Sequence, residues 1–478
     1  MRVVRPYLLY FILSLLVIFS RSQFNIQIPK FRITPYNSPM NKSYQKSLDY
    51  LYSFVNYSFK HASELAKAEF NLDRMRDLMR LLGDPQNDYP IIHIAGSKGK
   101  GSTAAFTASA LRAAGYRVGL YTSPHLQDFA ERMQVNGIPI PQDEFVALVE
   151  EMKPFVEQVP YITTFELATA LGFLHFSRQD VTVAVIEVGL GGRLDATNIV
   201  TPLVSVITSI SLEHTAVLGD TLTEIAREKA GIVKPGHPFV VSPQKPEVDS
   251  VFELVAEEHA VPLTRVGRDI LYKVKKKSID GQMLEVWMRN APKMKLSIPL
   301  LGEHQVENAV TAYAALLAAR REGLVFNAGQ LKQGFADTKW AGRFEIWREK
   351  PPIVLDSAHN PDSISKLRQT LDEYFPEEKI VLIFGASEDK KVAEMLEILA
   401  PRLDKVILTR AEHPRAVEAE KLLTIAEQVG VGAEAIVPVE AAVVRALEIV
   451  DETRALLLSA GSIFVTAAVR AVLSEENK

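Results

Sequence analysis

Residues 91–102 read IIHIAGSKGKGS, an apolar run followed directly by a turn rich in glycine and lysine. The run predicts a buried strand, and the small residues from Ser102 onward predict a helix after the turn. Glycines let backbone N–H groups turn toward an anion, a helix N-terminus adds positive potential, and Lys100 can reach the outer phosphates of a nucleotide. Only two residues separate Gly96 from Gly99, fewer than the usual phosphate-loop pattern has. A glycine-rich turn with a surface lysine is the alternative, but the strand–loop–helix context favours nucleotide binding.

Similar apolar runs recur after this stretch, and they do not alternate with polar residues. That pattern is typical of strands covered on both faces, as in a parallel sheet flanked by helices. Between the runs we expect helices such as Ser102–Ala114, with Gly115 as the C-cap. The predicted strands of this first part are Ile91–Ala95, Arg117–Tyr121, Val181–Val188 and Leu203–Ile210.

The alternation pauses between Pro262 and Leu300, where an Asp-Gly pair between two β-rich runs predicts an antiparallel hairpin. The lysines of this stretch are interpreted as a solvated strand face. The alternation restarts after Trp340, which predicts a second, smaller α/β domain over 343–478 and a first domain over 40–340. Its predicted strands are Ile353–Asp356, Ile380–Phe384, Val406–Leu408 and Ala455–Ser459.

Composition narrows the functional classes. The chain has 478 residues, of which 47% are hydrophobic, enough for two or three domains. Its net charge is −4, so bulk electrostatics do not favour nucleic acid as the main partner. Cysteine is absent, which excludes disulfides, thiolate nucleophiles and Cys-ligated metals, and fits a reducing compartment.

The N-terminus differs from the rest of the chain. Residues Tyr7–Ser20 form an apolar run behind Arg2 and Arg5, the polarity of a secretory signal. The run is shorter than the ~20 residues of a spanning helix. A signal or anchor, a buried helix and translated sequence upstream of the true start all remain open. We favour the last, with Met40 opening an ordinary amphipathic helix and 1–39 as a non-core extension.

Polar residues lie at the carboxyl ends of three of the predicted strands of the first domain: Ser123 and His214 come after their strands, and Glu187 lies within the end of its strand. Because ligands of open parallel sheets bind at the carboxyl ends of the strands, we expect these residues to converge with the phosphate loop. Together a hydroxyl, a carboxylate and an imidazole could hold Mg²⁺ beside a nucleotide. Each has an alternative: a turn cap, a buried ion pair and a satisfied core histidine, respectively. The carboxylate is the strongest candidate, because burying it unpaired is costly.

Three further charged residues, two in a loop and one near the end of a helix, are candidate site residues. The loop 189–198 (GLGGRLDATN) holds Arg193 and Asp195, which could orient a polar substrate or pair with each other. Lys229 falls in the last turn of a predicted helix, and its spacing alone favours an interaction with the helix C-terminus.

In the second domain, Asp356 and His359 follow a strand. They could contact nucleotide or a reacting carboxylate, or cap the helix that starts near Asn360.

Taken together, these segments resemble the folylpolyglutamate synthase/dihydrofolate synthase family of the Mur ligase superfamily. The resemblance covers about Lys46 to Arg470 and leaves chance coincidence very improbable. Ser97 and Lys98 stand where the family usually has Thr and Asn, and Ser357 where it usually has Gly. The matching segments, in family order, are NLDRM, LGDP, HIAGSKGKGST, TSPHL, ERMQVNG, TFELAT, IEVGLGGRLDATN, EHTAVLG, REKAGIVKPG, GEHQVENA, WAGRFE, LDSAHNP, FGASEDK and SAGSIF.

The resemblance implies a fold: a P-loop Mur-ligase-type α/β domain with a mostly parallel sheet, and a smaller Rossmann-like C-terminal α/β domain. It also implies the roles of residues. Metal ligands would be Ser123, Glu187 and His214, and Lys229 would be carbamylated, which reverses the interpretation from spacing. ATP would be bound by Gly99, Lys100, Gly101, Ser102, Asn308, Arg343 and Asp356. His359 would lie by the reacting phosphate, and the pterin substrate would face Thr163, Leu194, Asp195 and Ala196.

The implied activity is ATP-dependent ligation of L-glutamate to dihydropteroate or to folate polyglutamates, through an acyl phosphate. We expect ATP and two Mg²⁺ as cofactors, small-molecule substrates, no nucleic acid or membrane partner, and a cytoplasmic monomer. The loop 189–198 resembles that of the bifunctional bacterial type. Two other classes stay open: a cell-wall Mur-type ligase, and a P-loop NTPase without ligase chemistry. Dependence of ATP turnover on both a pteroate or folate and glutamate separates them.

Overall fold

The computed structural model describes residues 41–55 and 71–476. The chain divides into two compact units, Met1–Lys42 and Ser43–Lys478, and the second unit contains both α/β lobes. The expectations for residues 1–39, including the apolar run, lie outside the described residues. The helix expected after Met40 is present as α1, Lys42–Tyr52.

A large sheet forms the centre of the first lobe, in the order β4-β3-β2-β5-β1-β6-β7-β8. Strands β1, β2, β5, β6, β7 and β8 pair in parallel, and β3 and β4 add an antiparallel edge. The central strands β1, β5 and β6 are fully buried because helices cover both faces. The strands are β1 (Ile91–Ala95), β2 (Val118–Tyr121), β3 (Met133–Val135), β4 (Ile138–Pro139), β5 (Val183–Glu187), β6 (Val204–Ile207), β7 (Phe239–Val241) and β8 (Leu263–Arg265).

Helices pack on both faces of this sheet. The helix after the phosphate loop is α3 (Lys100–Ala113), and it is buried from Ser102 to Leu111. It lies between the sheet and two further helices, α9 (Glu303–Arg321) and α10 (Ala328–Ala336). Small residues permit the close approach, since a Cβ on Gly334 of α10 would lie 2.3 Å from Ala110 Cα. After α1, the helices of this lobe are, in chain order, α2 (Asp73–Leu81), α3 (Lys100–Ala113), α4 (Gln142–Val156), α5 (Thr164–Arg178), α6 (Thr215–Leu218), α7 (Leu222–Ala230), α8 (Pro246–Glu258), α9 (Glu303–Arg321) and α10 (Ala328–Ala336).

The expected hairpin is confirmed as part of a small antiparallel sheet of β9 (Ile270–Ser278), β10 (Gly281–Met288) and β11 (Met294–Ile298). Its lysines are exposed, as predicted for a solvated strand face. Lys277 Nζ lies 2.5 Å from Glu373 Oε1 of the second lobe. The hairpin therefore also contacts that lobe.

The second lobe is a smaller α/β layer structure with the strand order β12-β13-β17-β14-β15-β16. All pairs are parallel except the antiparallel edge pair β12–β13. The strands are β12 (Glu345–Glu349), β13 (Pro352–Leu355), β14 (Ile380–Phe384), β15 (Leu403–Leu408), β16 (Glu434–Ala435) and β17 (Leu456–Ala460). The helices are α11 (Pro361–Tyr374), α12 (Val392–Leu399), α13 (Ala419–Gln428), α14 (Val439–Thr453) and α15 (Ile463–Glu476).

The predicted strands are confirmed, with ends that differ by up to three residues. The edge strands β12 and β16 were not predicted, because short or half-exposed strands have weak apolar patterns. The segment 337–344 joins α10 to β12, so the predicted domain boundary near Trp340 falls in it and stays a prediction. None of the helices in the described part of the chain is long and apolar enough to cross a lipid bilayer.

Candidate active site between the two lobes

The phosphate loop connects β1 to α3, as predicted, and its glycines are needed for steric reasons. Gly96 has φ +144°, and a Cβ there would lie 1.9 Å from Thr208 Oγ1. Gly99 is the N-cap of α3 at φ +90°, and a Cβ there would lie 2.1 Å from Asn308 Oδ1. Positive φ and this crowding both exclude larger residues. The predicted ATP-binding residue Asn308 therefore lies directly against the loop.

The first turn of α3 carries the other predicted phosphate-binding residues, Lys100, Gly101 and Ser102. Lys100 Nζ donates to Gly96 O at 3.1 Å, so its ammonium group lies over the loop. A Cβ on Gly101 would lie 3.0 Å from Trp340 Cζ2 and 3.4 Å from Glu187 Oε2. The loop is thus enclosed between the segment that joins the lobes and a buried carboxylate.

Glu187 and Ser123, two of the predicted metal ligands, are in contact. The Ser123 backbone N–H donates to Glu187 Oε2 at 3.2 Å, and Glu187 is 5% exposed. Burial raises the pKa of Glu187, and the charges of Lys100 and Arg343 partly oppose this. Among the residues that the structure describes, no lysine or arginine forms an ion pair with Glu187, so the alternative of a buried ion pair does not apply.

His214, the third predicted ligand, precedes the short helix α6 and has φ +48°. It lines the cavity between the lobes, and desolvation there lowers its pKa to about 4. The imidazole is therefore neutral at pH 7, as a metal ligand must be. Within residues 41–55 and 71–476, no three His, Asp or Glu side chains cluster in a way that could hold a metal ion. A metal here would need the Ser123 hydroxyl as well.

The Lys229 ammonium group bonds to other segments of the chain, which the interpretation from spacing alone did not predict. Its side chain is 2% exposed, and Nζ lies 2.8 Å from Glu213 Oε1 and 3.0 Å from Gly96 O. Burial lowers the pKa of Lys229. Burial would raise the pKa of Glu213, but the charges of neighbouring lysines outweigh it and lower that pKa to about 2. Lys229 thus connects α7 to the phosphate loop.

Asp195 organises the loop 189–198. Its carboxylate accepts the N–H of Leu190 at 2.8 Å, the N–H of Thr197 at 3.0 Å and the hydroxyl of Thr197 at 2.5 Å. Arg193 pairs with Glu228 at 2.9 Å, so the alternative in which Arg193 pairs with Asp195 is wrong. Leu194, Asp195 and Ala196 line the cavity between the lobes, on the side predicted to face the substrate.

Thr163 also lines this cavity, at the N-terminus of α5. It forms a capping box with Glu166, in which Thr163 Oγ1 accepts the Glu166 N–H at 3.2 Å and the Thr163 N–H donates to Glu166 Oε2 at 2.7 Å. Arg74 pairs with Glu166 at 3.1 Å and also lines the cavity. Thr163 is therefore both the N-cap of α5 and a part of the cavity wall.

Three predicted residues come from the second lobe or the joining segment. Asp356 accepts the N–H groups of Phe344 and Ala358, each at 2.7 Å, and burial raises its pKa while Arg343 opposes the rise. His359 lines the cavity, and desolvation lowers its pKa to about 3. Neither Asp356 nor His359 caps the next helix, because Asn360 does, accepting the N–H of Ser363 at 2.9 Å.

A cavity of about 340 Å³ joins these parts, with walls from both lobes. Of the predicted residues, those in its wall are Ser123, Thr163, Leu194, Asp195, Ala196, His214 and His359. Glu187 lies next to it through its contact with Ser123, whereas Asn308 and Lys229 contact the phosphate loop, which is not part of the cavity wall. Seven of the predicted positions therefore share one cavity, and the meeting of the phosphate loop, Arg343 and Asp356 with them stays a prediction.

Several residues of the cavity were missed. The second-lobe wall includes Ser387, Lys390, Arg415, Ser462 and Phe464. Each follows β14, β15 or β17, so the rule applied to the first lobe, polar residues after parallel strands, would have found the four polar ones but not the apolar Phe464. Glu213 and Trp340 were missed as well, and only their contacts in three dimensions identify them.

Comparison with known proteins agrees with this geometry. The family model of the Mur ligase middle domain matches residues 94–316, and that of the Mur ligase glutamate ligase domain matches 342–463. A Bacillus subtilis protein named dihydrofolate synthase/folylpolyglutamate synthase is 38% identical over 363 residues, 74% of this chain and 84% of that protein.

Two solved structures share the whole fold. A Mycobacterium tuberculosis folylpolyglutamate synthase complexed with ADP has a TM-score of 0.81 at 32% identity, covering 90% of this chain and 98% of that one. An Escherichia coli enzyme in complex with DHPP and ADP has a TM-score of 0.78 at 29% identity, covering 92% and 100%. Both structures contain ADP, the nucleotide that ATP-dependent ligation releases.

The fold and the crevice with its phosphate loop define a Mur-type ligase, with a middle domain and a glutamate ligase domain. More narrowly, the chain belongs to the dihydrofolate synthase/folylpolyglutamate synthase family. It is therefore an acid–amino-acid ligase.

Proposed function

We propose that this enzyme transfers the γ-phosphoryl group of ATP to the carboxylate of dihydropteroate or of a folate, and then joins L-glutamate to the acyl phosphate. A carboxylate is a poor electrophile because its charge repels an amine. In the first step a carboxylate oxygen bonds to the γ-phosphorus and ADP leaves. In the second the glutamate amine attacks the acyl carbon, phosphate leaves with that oxygen, and the amine loses its proton.

The observation that supports this proposal most strongly is the cavity shared by the two lobes. Its first-lobe wall holds Thr163 and Asp195, and its second-lobe wall holds His359, Lys390 and Arg415. Because the reaction brings two acids and a nucleotide together, its site needs positive charge from both lobes. The site must also exclude water, because water would hydrolyse an acyl phosphate. We infer that the lobes close on the substrates.

The chain would stabilise phosphate charge through fixed positive groups. Lys100 lies over the loop, and the N–H groups of Gly101 and Ser102 at the start of α3 are free of the helical ladder. Arg343, together with Asn308 and Asp356, would hold the nucleotide from the junction of the lobes. Catalysis then consists mostly of positioning and of neutralising charge.

Mg²⁺ would be held by Ser123, Glu187 and His214. The set fits a divalent cation: Glu187 is buried with no cationic partner among the described residues, and His214 is neutral at pH 7. Bound there, the ion would neutralise phosphate charge beside Lys100. Carbamylation of Lys229 and a second Mg²⁺ are part of this proposal. The amine is buried with a lowered pKa, as carbamylation requires, but it pairs here with Glu213.

We assign both the dihydropteroate and the folate activities to one substrate wall, formed by Thr163, Leu194, Asp195 and Ala196. We retain the domain limits 40–340 and 343–478. We also retain a cytoplasmic, monomeric enzyme as the expectation.

The test is ADP release with dihydropteroate or tetrahydrofolate, each with and without L-glutamate. We expect ADP release only when both the acid and glutamate are present. Nucleotide turnover that is independent of either acid would contradict the proposal and favour an NTPase. Turnover with a UDP-sugar peptide instead would favour a cell-wall ligase.

A further inference from the structure

The phosphate loop carries a second lysine, Lys98, which has no part in the proposed mechanism. The backbone around it is fully engaged: the N–H groups of Ser97 and Lys98 donate to Ser209 O at 2.9 and 3.2 Å, and Ser209 Oγ donates to Lys98 O at 3.3 Å. Only the side chain of Lys98 is therefore available to a ligand.

That side chain is held in the site by a long ion pair. It is 20% exposed, and its Nζ lies 3.6 Å from Glu213 Oε2. The other oxygen of the same carboxylate pairs with Lys229 at 2.8 Å, the shorter contact. The Glu213 carboxylate thus pairs with two lysines, and its shorter contact is the one to Lys229. Lys98 can leave Glu213 without leaving that carboxylate unpaired.

Positive charge is in excess at this point of the loop. With Lys229 uncarbamylated, as in this structure, the charges of Lys98, Lys100 and Lys229 all act on the single carboxylate of Glu213. Like charges held together in a partly buried site repel, and burial also lowers the pKa of Lys98. An anion with several charges, such as the end of a triphosphate, removes this repulsion.

Lys98 also faces the second lobe. Its charge contributes to the lowered pKa of His359, and it interacts electrostatically with Asp362 and Lys390 of that lobe. Lys100, by contrast, bonds back to Gly96 of its own loop. The Lys98 ammonium group is therefore close enough to act on charged groups of both lobes, and the outermost phosphate would meet the acid to be activated between these lobes.

We propose that the Lys98 ammonium group binds the outermost phosphoryl group of ATP, the one that is transferred, and moves from Glu213 to it when ATP binds. This rests on the proposed function for the identity of the nucleotide. It gives the chain a second phosphate-binding lysine and makes Lys98 selective for ATP over ADP, which lacks that group.

The test compares the affinities of AMP-PCP and ADP, measured by calorimetry at one fixed Mg²⁺ concentration, for the wild-type enzyme and K98N. Loss of a charged hydrogen bond weakens binding by about tenfold to a hundredfold. We expect that loss for AMP-PCP, a change of less than about threefold for ADP, and recovery of most of the AMP-PCP affinity in K98R. The control K245N replaces an exposed lysine and should bind both nucleotides as the wild type does.

Equal weakening of AMP-PCP and ADP would show that Lys98 acts only through the shape of the loop and would overturn the proposal. Unchanged binding of both nucleotides would overturn it as well. Neither measurement needs a folate or glutamate. If the ligase assay fails while K98N still weakens the binding of AMP-PCP much more than that of ADP, the result would therefore count against the proposed function alone.

Discussion

Lys229 Nζ lies 2.8 Å from Glu213 Oε1, and the two side chains are 2% and 12% exposed. This buried pair ties helix α7 to the loop after β6, and the bond of Lys229 to Gly96 O extends the tie to the phosphate loop. Helix α7, the loop after β6 and the phosphate loop are far apart in the sequence, and these contacts hold them together. They meet where the lysines of the candidate active site lie.

Stability should depend on pH through Glu213. Its pKa in the folded protein is about 2, below the ordinary value of 4.5, so its pairing stabilises the fold above pH 4.5 and this contribution is lost as pH falls toward 2. Glu213→Gln should lower the free energy of unfolding by roughly 3 kcal/mol at pH 7, because it leaves Lys229 buried without its partner. Urea unfolding between pH 2.5 and 7 measures this.

The difference between wild type and E213Q should shrink below pH 4.5. A difference that does not change with pH would contradict the assignment. The control is Glu228→Gln, which removes the partner of the half-exposed Arg193 and should cost less than about 1 kcal/mol at any pH.

Lys100→Ala should abolish glutamate-dependent ADP release, by at least about a hundredfold in kcat/KM, because the outer phosphates lose a fixed positive charge. Circular dichroism and the melting temperature should stay near wild type, since within the described part of the chain the Lys100 side chain hydrogen-bonds only to the carbonyl of Gly96. The exposed Lys332→Ala serves as the matched control and should retain full activity. Activity of K100A near wild type would refute the role of the loop.

Gly101→Ala should raise the KM for ATP by about tenfold, because the new Cβ would lie 3.0 Å from Trp340 Cζ2 and displace the first turn of α3. Trp340→Phe removes the contacted atom, so the double variant G101A/W340F should recover part of the loss. Steady-state kinetics with varied ATP measure both. Gly432→Ala, at an exposed glycine with nothing within 4 Å of the new Cβ, should have no effect. Additive losses in the double variant would show that the contact is not the cause.

Asp195→Asn should raise the KM for the pteroate or folate substrate while the KM for ATP changes little. An amide accepts at only one of its two ends, so N–H groups of Leu190 and Thr197 would compete for one oxygen and the loop 189–198 would loosen. We expect a loss of about 1–3 kcal/mol in the free energy of unfolding. The exposed Asp180→Asn is the control. An unchanged KM for the acid substrate would place Asp195 outside the substrate wall.

Much of the fold could be predicted because its central strands are continuous apolar runs, and β1, β5 and β6 were each located within three residues. Ser123, Glu187 and His214 could be singled out from their positions at or after the carboxyl ends of strands. The roles of Lys229 and Glu213 could not, because an ion pair between α7 and a distant loop leaves no local pattern. The cap at Asn360 rather than Asp356 shows the same limit, since Asp, His and Asn side chains can all cap a helix and backbone geometry decides among them.

Activation of the acid as an acyl phosphate, in the crevice between the lobes, is the step on which the proposed mechanism depends. The most direct test supplies dihydropteroate with both carboxylate oxygens labelled with ¹⁸O, together with ATP and L-glutamate, and analyses the released phosphate by mass spectrometry. We predict one ¹⁸O atom in each phosphate and one in each amide formed. Unlabelled phosphate beside labelled product would contradict the mechanism.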